Sequence, residues 1–361
     1  MSHFVTCKKN SDDFKKYIWG TFSETERALP IESLNVGTVS ESITFEIKSI
    51  NEIETPTQFQ IFIRLIKWNY FFLIFVPLYY IFVKNFVYQR LFDLLSFYLS
   101  IAASLFLFAG LNIKNDILDH ISGFDWIIKS KSKRPVLQGW ITAHAANKFS
   151  NILIVIAACL AGPICFRQNE VFRISIITLL LFLVGNFLNK NNYKFSYISE
   201  FILFIMLGPA LCSGYQVALG SGVDTEVLIF GSAWGVAVLF LMYVVQFEHL
   251  FETSQAKIYN TMTKMGFDKS KSFLKLWWGF FILLWIIYHY FYASQYWLWF
   301  SALVLIFWSL SAFVQIAQAD SPMGSNLFRV RRSCFKIFTL MILLLILEQS
   351  WYLYNHLDWL F

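Results

Sequence analysis

Charged residues are scarce in this chain of 361 residues: 14% are Asp, Glu, Lys or Arg, whereas 57% are hydrophobic. Soluble domains carry about 25% charged residues, so this shortage excludes an ordinary soluble enzyme. The mean hydropathy of +0.55 agrees with that interpretation. The composition therefore predicts a protein that crosses a membrane several times.

Cysteine is rare as well, and the five cysteines are scattered: Cys7, Cys159, Cys165, Cys212 and Cys334. None of them has the CxxC spacing that is typical of zinc sites, and no regular spacing indicates a disulfide framework. We interpret them as reduced residues that pack as small hydrophobic side chains.

Residues 1–58 lack any long apolar run, so they contain no secretory signal. We interpret this segment as a polar cytosolic extension, followed by a transmembrane domain over residues 59–361. Within the extension, alternating polar and apolar residues from Thr38 to Ile47 predict a strand. Ser11 to Trp19 predicts a short surface helix. The sequence assigns this segment no chemistry.

Beyond residue 58, apolar segments recur that approach the roughly 20 residues needed to cross a bilayer. They predict an all-α bundle of about nine transmembrane helices. The segments are 70–87, 91–111, 149–166, 173–189, 200–219, 227–247, 275–293, 295–317 and 335–355.

Lys and Arg accumulate on the cytoplasmic side of membrane proteins, so the loop charges predict orientation. With a cytoplasmic N-terminus, the opposite face receives only Lys84, Arg90, Arg167 and Arg173 among the loop cations. We therefore expect a multi-pass membrane protein whose N-terminus and acidic loops face the cytoplasm. The net charge of +6 follows from this asymmetry and needs no nucleic acid partner.

Acidic residues stand at the end of one apolar segment. Asp116 and Asp119 are three positions apart and share a helical face, with Asn115 beside Asp119. Two carboxylates and an amide oxygen suit a hard divalent cation. Asp125 breaks the register, so we expect the helix to end near Ser122-Gly123 and the chain to bend back. The alternative is a set of solvated acids in an ordinary loop.

A basic cluster follows these acids: Lys129, Lys131, Lys133 and Arg134. The guanidinium of an arginine can hold a diphosphate through two parallel hydrogen bonds, and lysines supply point charges. The cluster therefore favours a site for a diphosphate and its metal over solvated loop acids.

This pattern resembles the UbiA superfamily of intramembrane prenyltransferases, whose first signature is NDxxDxxxD, then a basic stretch, an RP pair and a glycine. Asn115, Asp116 and Asp119 match directly, and Asp125 matches after a two-residue insertion. Arg134-Pro135 and Gly139 follow at the family's spacing. Ser130 stands where the family has an arginine, whose charge Lys129 or Lys131 would supply.

The resemblance extends from about residue 60 to residue 355. The fifth-span pattern of quinone-forming members, especially those acting on naphthoate, is similar to Ser199-Glu200, Leu207-Gly208-Pro209, Gly214-Tyr215 and Gly220. Asn69 looks like the polar residue that such proteins place at the start of the first span. These matches imply substrate-binding roles for Asn69, Asn115, Lys129 and Lys131.

The family's second signature is an aspartate-rich loop after the sixth span. In its place this sequence has Glu248 and Glu252, four positions apart and so predicted to share a helical face. Lys257, Thr261 and Met265-Gly266 follow. The resemblance implies a second pair of magnesium ligands and a substrate-binding Lys257. The alternative is that the longer carboxylates mark a changed or weakened reaction.

The resemblance therefore implies a Mg²⁺-dependent prenyltransferase that moves an isoprenyl chain from a prenyl diphosphate to an aromatic quinone precursor or another small acceptor. Asp116, Asp119, Lys133 and Arg134 would be catalytic. The metal ligands would be Asp116, Asp119, Asp125, Glu248 and Glu252. Two alternatives stay open: a terpene cyclase of the same fold, and a non-catalytic isoprenoid carrier or transporter.

Overall fold

The computed structural model describes residues 3–9, 11–35, 38, 40–88, 93–123, 134–167, 173, 197–255, 260–292, 296–324 and 326–357. The chain forms two compact units. Unit 1 consists of Met1–Phe71, Ala102–Cys159 and Glu252–Ile258. Unit 2 consists of Phe72–Ile101, Leu160–Phe251 and Tyr259–Phe361.

The N-terminal segment in unit 1 is a small antiparallel sheet with one helix. Its elements are β1 (His3–Lys8), α1 (Asp12–Trp19), β2 (Glu26–Leu34) and β3 (Ser42–Ser49), and the strand order is β1-β3-β2. Alternate residues of β3 are buried, which explains why this strand occupies the centre. Its core comprises Cys7, Phe14, Ile18, Ile43, Phe45 and Ile47.

The predicted helix over Ser11 to Trp19 is confirmed, with the Ser11 hydroxyl accepting a hydrogen bond from the Phe14 amide at 3.1 Å. The predicted strand exists but begins at Ser42, not Thr38, and it has two partners that the sequence did not indicate. The segment therefore forms a three-stranded sheet with one helix, where the sequence predicted one strand and one helix.

Beyond the sheet, the regular elements of the described chain are helices, with two short 3₁₀ turns at Ile50–Glu52 and Trp68–Tyr70. The helices are α2 (Gln58–Leu65), α3 (Phe72–Val87), α4 (Leu94–Ser122), α5 (Ala143–Arg167), α6 (Tyr197–Leu207), α7 (Pro209–Ala218), α8 (Thr225–Glu248), α9 (Leu250–Gln255), α10 (Thr261–Met265), α11 (Phe267–Tyr292), α12 (Tyr296–Ala317) and α13 (Asn326–Leu357).

Six helical segments of the described chain are long and apolar enough to cross a membrane. A seventh exists if the segments Gln58–Tyr70 and Phe72–Val87, bent by 54°, count as one span. The predicted number of nine is not confirmed, and most of the predicted span 173–189 lies outside the described residues. The predicted helical membrane bundle is confirmed.

In unit 2, α8 packs against α6, α7, α11 and α13. Glycines bring its backbone close to the break between α6 and α7. A Cβ atom on Gly208 would lie 2.5 Å from the Gly231 carbonyl oxygen, and one on Gly235 would lie 2.9 Å from the Phe204 carbonyl oxygen. Gly231 and Gly235 form a GxxxG spacing, which permits such close approach of membrane helices.

Candidate active site

Asp116 and Asp119 lie in the last two turns of α4, and both side chains are buried, with relative exposures of 2% and 3%. The helix ends at Ser122, and Gly123 adopts a positive φ of 89°, as the sequence predicted for this position. Asp125, which should bend back towards these acids, lies outside the described residues. The structure therefore provides two closely spaced buried carboxylates at a helix end.

Each carboxylate contacts a cation. The Lys67 Nζ atom lies 2.6 Å from Asp116 Oδ1, and Arg134 Nη1 donates a hydrogen bond to Asp119 Oδ2 at 3.1 Å. The same guanidinium nitrogen is 3.9 Å from Asp116 Oδ1. Buried carboxylates are costly unless they are paired, so these two cations offset the cost of burying the acidic pair.

Lys67 was not predicted as a site residue. It follows α2 and has left-handed backbone angles, φ 56° and ψ 54°, which are uncommon for any residue other than glycine. The Asn112 side chain of α4 donates to the Ile66 carbonyl at 3.0 Å and ties this turn to α4. The sequence signal was only a lysine at the start of the first apolar segment.

Arg134 begins a turn that contains the RP pair and the glycine matched to the family signature. The amides of Gln138 and Trp140 donate to the carbonyls of Arg134 and Pro135, both at 3.0 Å. Gly139 closes the turn with a positive φ of 71°. This turn is the local structure that positions the Arg134 guanidinium.

The N-terminal sheet packs against this turn. A Cβ atom on Gly139 would lie 2.7 Å from a methyl carbon of Leu29 in β2, so only glycine fits without a shift. The Trp140 indole donates to the Glu54 carbonyl at 3.1 Å, and the Arg64 guanidinium lies 5.1 Å from the Trp140 ring centroid. The extension to which the sequence assigned no chemistry thus supports the segment that carries Arg134.

Two further residues predicted for the first cluster are described by the structure, Asn115 and Asn69. Asn115 is half-buried on α4, and Asn69 is exposed in the 3₁₀ turn just after Lys67. The remaining predicted basic residues lie outside the described part of the chain: Lys129, Lys131, Lys133 and Lys257.

Glu248 is the last residue of α8, and its Oε2 atom accepts a hydrogen bond from Arg331 Nη1 of α13 at 2.7 Å. The predicted continuous helical face with Glu252 is wrong, because the chain leaves α8 at His249 and α9 begins only at Leu250. Glu252 is half-buried in α9. Arg331 is a second site candidate that the sequence analysis missed.

A further polar centre in unit 2 surrounds Glu200, which belonged to the predicted fifth-span pattern. Its Oε2 atom accepts a hydrogen bond from the Tyr243 hydroxyl at 2.8 Å, and its Oε1 atom accepts one from the Thr261 hydroxyl. These contacts join α6, α8 and α10. They explain the threonine of the second signature as a structural partner of Glu200.

Metal binding depends on the supply of oxygen ligands. Among the described residues, no group of three or more His, Cys, Asp and Glu side chains could hold a metal ion. Asp116 and Asp119 supply two carboxylates. Magnesium is commonly bound through one or two carboxylates together with phosphate oxygens and water. The acidic pair therefore fits a magnesium ion that shares its coordination with a phosphate ligand.

Comparison by sequence finds no matching family model and no matching curated protein. Comparison by structure does find similar proteins. A digeranylgeranylglyceryl phosphate synthase is 19% identical with a TM-score of 0.58, over 81% of this chain and 98% of that one.

Two structures of a UbiA homologue from Archaeoglobus fulgidus are also similar. The one bound to GPP and Mg²⁺ is 13% identical with a TM-score of 0.54, over 80% of this chain and 99% of that one. The one bound to DMAPP and Mg²⁺ is 14% identical with a TM-score of 0.52, over the same shares. The predicted UbiA fold is therefore confirmed.

Proposed function

We propose that this chain is a magnesium-dependent intramembrane prenyltransferase that releases diphosphate from a prenyl diphosphate. The observation that carries the proposal is the buried pair Asp116 and Asp119, in contact with Lys67 and Arg134 at the end of an apolar helix. The fold, shared with a homologue bound to prenyl diphosphates and Mg²⁺, supports the same activity.

In the proposed reaction, the bond between C1 of the prenyl chain and the diphosphate oxygen breaks, and the oxygen keeps the electron pair. Magnesium, held by Asp116 and Asp119, would neutralise the charge that grows on that oxygen. The Arg134 guanidinium has five donors in a planar fork, so it can bind a phosphate oxygen as well as Asp119. The acceptor forms a bond to C1 and loses a proton.

We assign the other predicted residues supporting roles. Asp125, Glu248 and Glu252 keep the role of metal ligands that the sequence predicts, and Lys133 would neutralise the diphosphate. Arg331 would hold the Glu248 side chain in a fixed orientation through their hydrogen bond. Contacts to the donor or acceptor are assigned to the remaining predicted site residues: Asn69, Asn115, Lys129, Lys131 and Lys257.

The proposed acceptor is an aromatic quinone precursor, because Glu200 and Gly208-Pro209 are similar to the fifth-span pattern of quinone-forming members. A polar acceptor such as a glycerol phosphate is the second candidate. The structural similarity to a digeranylgeranylglyceryl phosphate synthase favours that candidate. The proposed orientation places the N-terminus and the acidic loops in the cytoplasm, because most loop cations lie on that side.

A terpene cyclase is a further candidate, favoured by the replacement of the second aspartate motif with Glu248 and Glu252. A cyclase uses a double bond of its own substrate as the nucleophile, so it needs no acceptor. A carrier or transporter would bind the prenyl diphosphate without breaking it. The three classes therefore differ in whether diphosphate is released and whether release depends on an acceptor.

The test is incubation of the purified protein with Mg²⁺ and prenyl diphosphates of several lengths, with and without an aromatic or a glycerol phosphate acceptor. We expect diphosphate release and a prenylated acceptor, identified by mass spectrometry. A new hydrocarbon or alcohol formed without acceptor would establish the cyclase instead. Binding without release, under every combination of donor and acceptor, would contradict the enzyme.

A further inference from the structure

We propose that Lys67 is a displaceable counter-ion of Asp116, which holds this carboxylate in the metal-free protein and moves to the diphosphate when magnesium binds. This inference rests on the proposed function and extends it to a residue outside the predicted site. In this role Lys67 positions the Asp116 carboxylate before the metal binds and contacts the diphosphate afterwards.

The first step of the argument is that Lys67 and a metal ion would compete for the same atom. The Lys67 ammonium lies 2.6 Å from Asp116 Oδ1. Magnesium binds carboxylate oxygens at about 2.0–2.1 Å. Two cations at those distances from one oxygen would repel each other strongly in a poorly solvated site. Metal binding to Asp116 through this oxygen therefore favours departure of the ammonium.

The second step concerns what can move. The backbone around Lys67 is fixed, because the Tyr70 amide donates to the Lys67 carbonyl at 2.9 Å and Asn112 holds the Ile66 carbonyl at 3.0 Å. The side chain is a flexible four-carbon stem with three donors at its end. The Lys67 side chain keeps a relative exposure of 19%, against 2% for that of Asp116, so it is not enclosed on all sides. Displacement therefore needs only a change of side-chain rotamer.

The third step distinguishes Lys67 from Arg134. The Arg134 guanidinium donates to Asp119 Oδ2 at 3.1 Å and lies 3.9 Å from Asp116 Oδ1. A guanidinium carries five N–H donors in a planar fork, so it can donate to a carboxylate and to a phosphate oxygen at the same time. Among the described residues, the Lys67 ammonium, a point charge, contacts one carboxylate oxygen, Asp116 Oδ1. Lys67 is therefore the cation that exchanges partners, whereas Arg134 keeps its carboxylate.

The test compares Lys67→Asn, Lys67→Arg and the matched control Lys114→Gln. Asparagine tolerates the left-handed conformation but has no charge, and arginine keeps the charge. Lys114 is a part-buried lysine of α4 that donates to the Asn147 side chain. Binding of Mg²⁺ alone, and of inorganic diphosphate in the presence of Mg²⁺, is measured by calorimetry on each purified protein.

We expect Lys67→Asn to bind Mg²⁺ alone more tightly, and diphosphate with Mg²⁺ more weakly, each by about fivefold or more, as for coupled ligands. Lys67→Arg and Lys114→Gln should stay close to the wild type in Mg²⁺ binding. Weaker or unchanged Mg²⁺ binding by Lys67→Asn would overturn the inference. If the wild type binds neither Mg²⁺ nor diphosphate, the proposed function fails as well.

A measurement on the wild-type protein gives an answer even if the asparagine variant does not fold. Acylation of lysines by an amine-reactive reagent is followed by mass spectrometry, with and without Mg²⁺ and diphosphate. Mg²⁺ alone should increase the modification of Lys67 and leave that of Lys114 unchanged, and added diphosphate should suppress the increase. A Lys67 whose reactivity does not respond to Mg²⁺ would contradict the exchange.

Discussion

Two charged clusters of this protein use the same residue types in different ways. In unit 1, Asp116 and Asp119 contact Lys67 and Arg134, which belong to a turn and a loop. In unit 2, Lys84 of α3 is only 3% exposed, and its Nζ atom lies 2.7 Å from both carboxylate oxygens of Asp224. Their partners distinguish the proposed ligand site in unit 1 from a cluster in unit 2 that joins helices.

The charged side chains of the unit 2 cluster are all paired with one another or with the backbone. Lys84 also lies 3.0 Å from Glu226, and Tyr80 donates to that glutamate at 2.8 Å. Asp224 caps α8 by accepting from the Val227 amide at 2.9 Å. These contacts join α3 to the start of α8, and each carboxylate of the cluster has a partner on one of these two helices. We therefore interpret this cluster as a structural link between helices.

The largest expected effect separates the clusters by activity. Asp116→Asn or Asp119→Asn should lower diphosphate release by about 10²–10³-fold or more, because each removes a charge that stabilises the transition state. Asp224→Asn should retain the wild-type rate per folded molecule, because its carboxylate serves α8 and Lys84. The measurement is the initial rate of diphosphate release, normalised to folded protein. Equal losses in all three variants would show that the comparison is wrong.

The next largest expected effect is on the stability of the fold, which should depend on the cluster in unit 2. Lys84→Met should lower the free energy of unfolding by about 3–5 kcal/mol, because it leaves two carboxylates without their buried counter-charge. Lys48→Met is the control, since Lys48 forms a half-exposed ion pair with Glu46 at 3.0 Å. Such surface pairs contribute about 0–1 kcal/mol. Thermal unfolding in detergent should show the difference, and a Lys84 variant as stable as the Lys48 variant would refute the structural interpretation.

The sequence predicted the part of the first cluster that depends on local spacing. The end of α4 near Ser122-Gly123 and the apolar character of the membrane helices follow from patterns within a few residues. Lys67 could not be found in this way, because its contact with Asp116 joins two distant segments through an unusual left-handed residue. The contact of Arg331 with Glu248, 83 residues apart, escaped for the same reason.

The N-terminal sheet was mostly missed because its strands carry weak signals. β2 contains Pro30, and a register irregularity follows between Pro30 and Glu32, so its alternation is broken. β1 is an edge strand with mostly exposed side chains. Only β3, buried at every second residue, has the regular alternation that sequence patterns detect.

A smaller effect concerns pH. Burial raises the pKa of Asp224, but hydrogen bonds from Lys84, the Val227 amide and Gln216 outweigh it and lower the pKa to about 2. A folded-state pKa below the unfolded value of about 3.9 means that this group stabilises the protein above that value. The contribution is lost as pH falls from about 4 to about 2.

The wild type should therefore lose thermal stability over this pH range by more than Asp224→Asn does, when both are unfolded in the same detergent. The comparison is made on inactive protein, so it does not depend on the proposed reaction. Parallel losses in the two proteins would show that Asp224 does not carry this acid sensitivity.

The smallest effect comes from Gln216, which donates to Asp224 Oδ2 at 3.0 Å. Within the described part of the chain, its buried Oε1 atom has no hydrogen-bond partner. Gln216→Met removes a hydrogen bond to a charged group but also removes an unsatisfied buried oxygen, and each contributes about 1–3 kcal/mol with opposite sign. The free energy of unfolding should therefore change by less than about 1 kcal/mol. A loss as large as that of Lys84→Met would mean that Gln216, and not the lysine, determines the stability of the link.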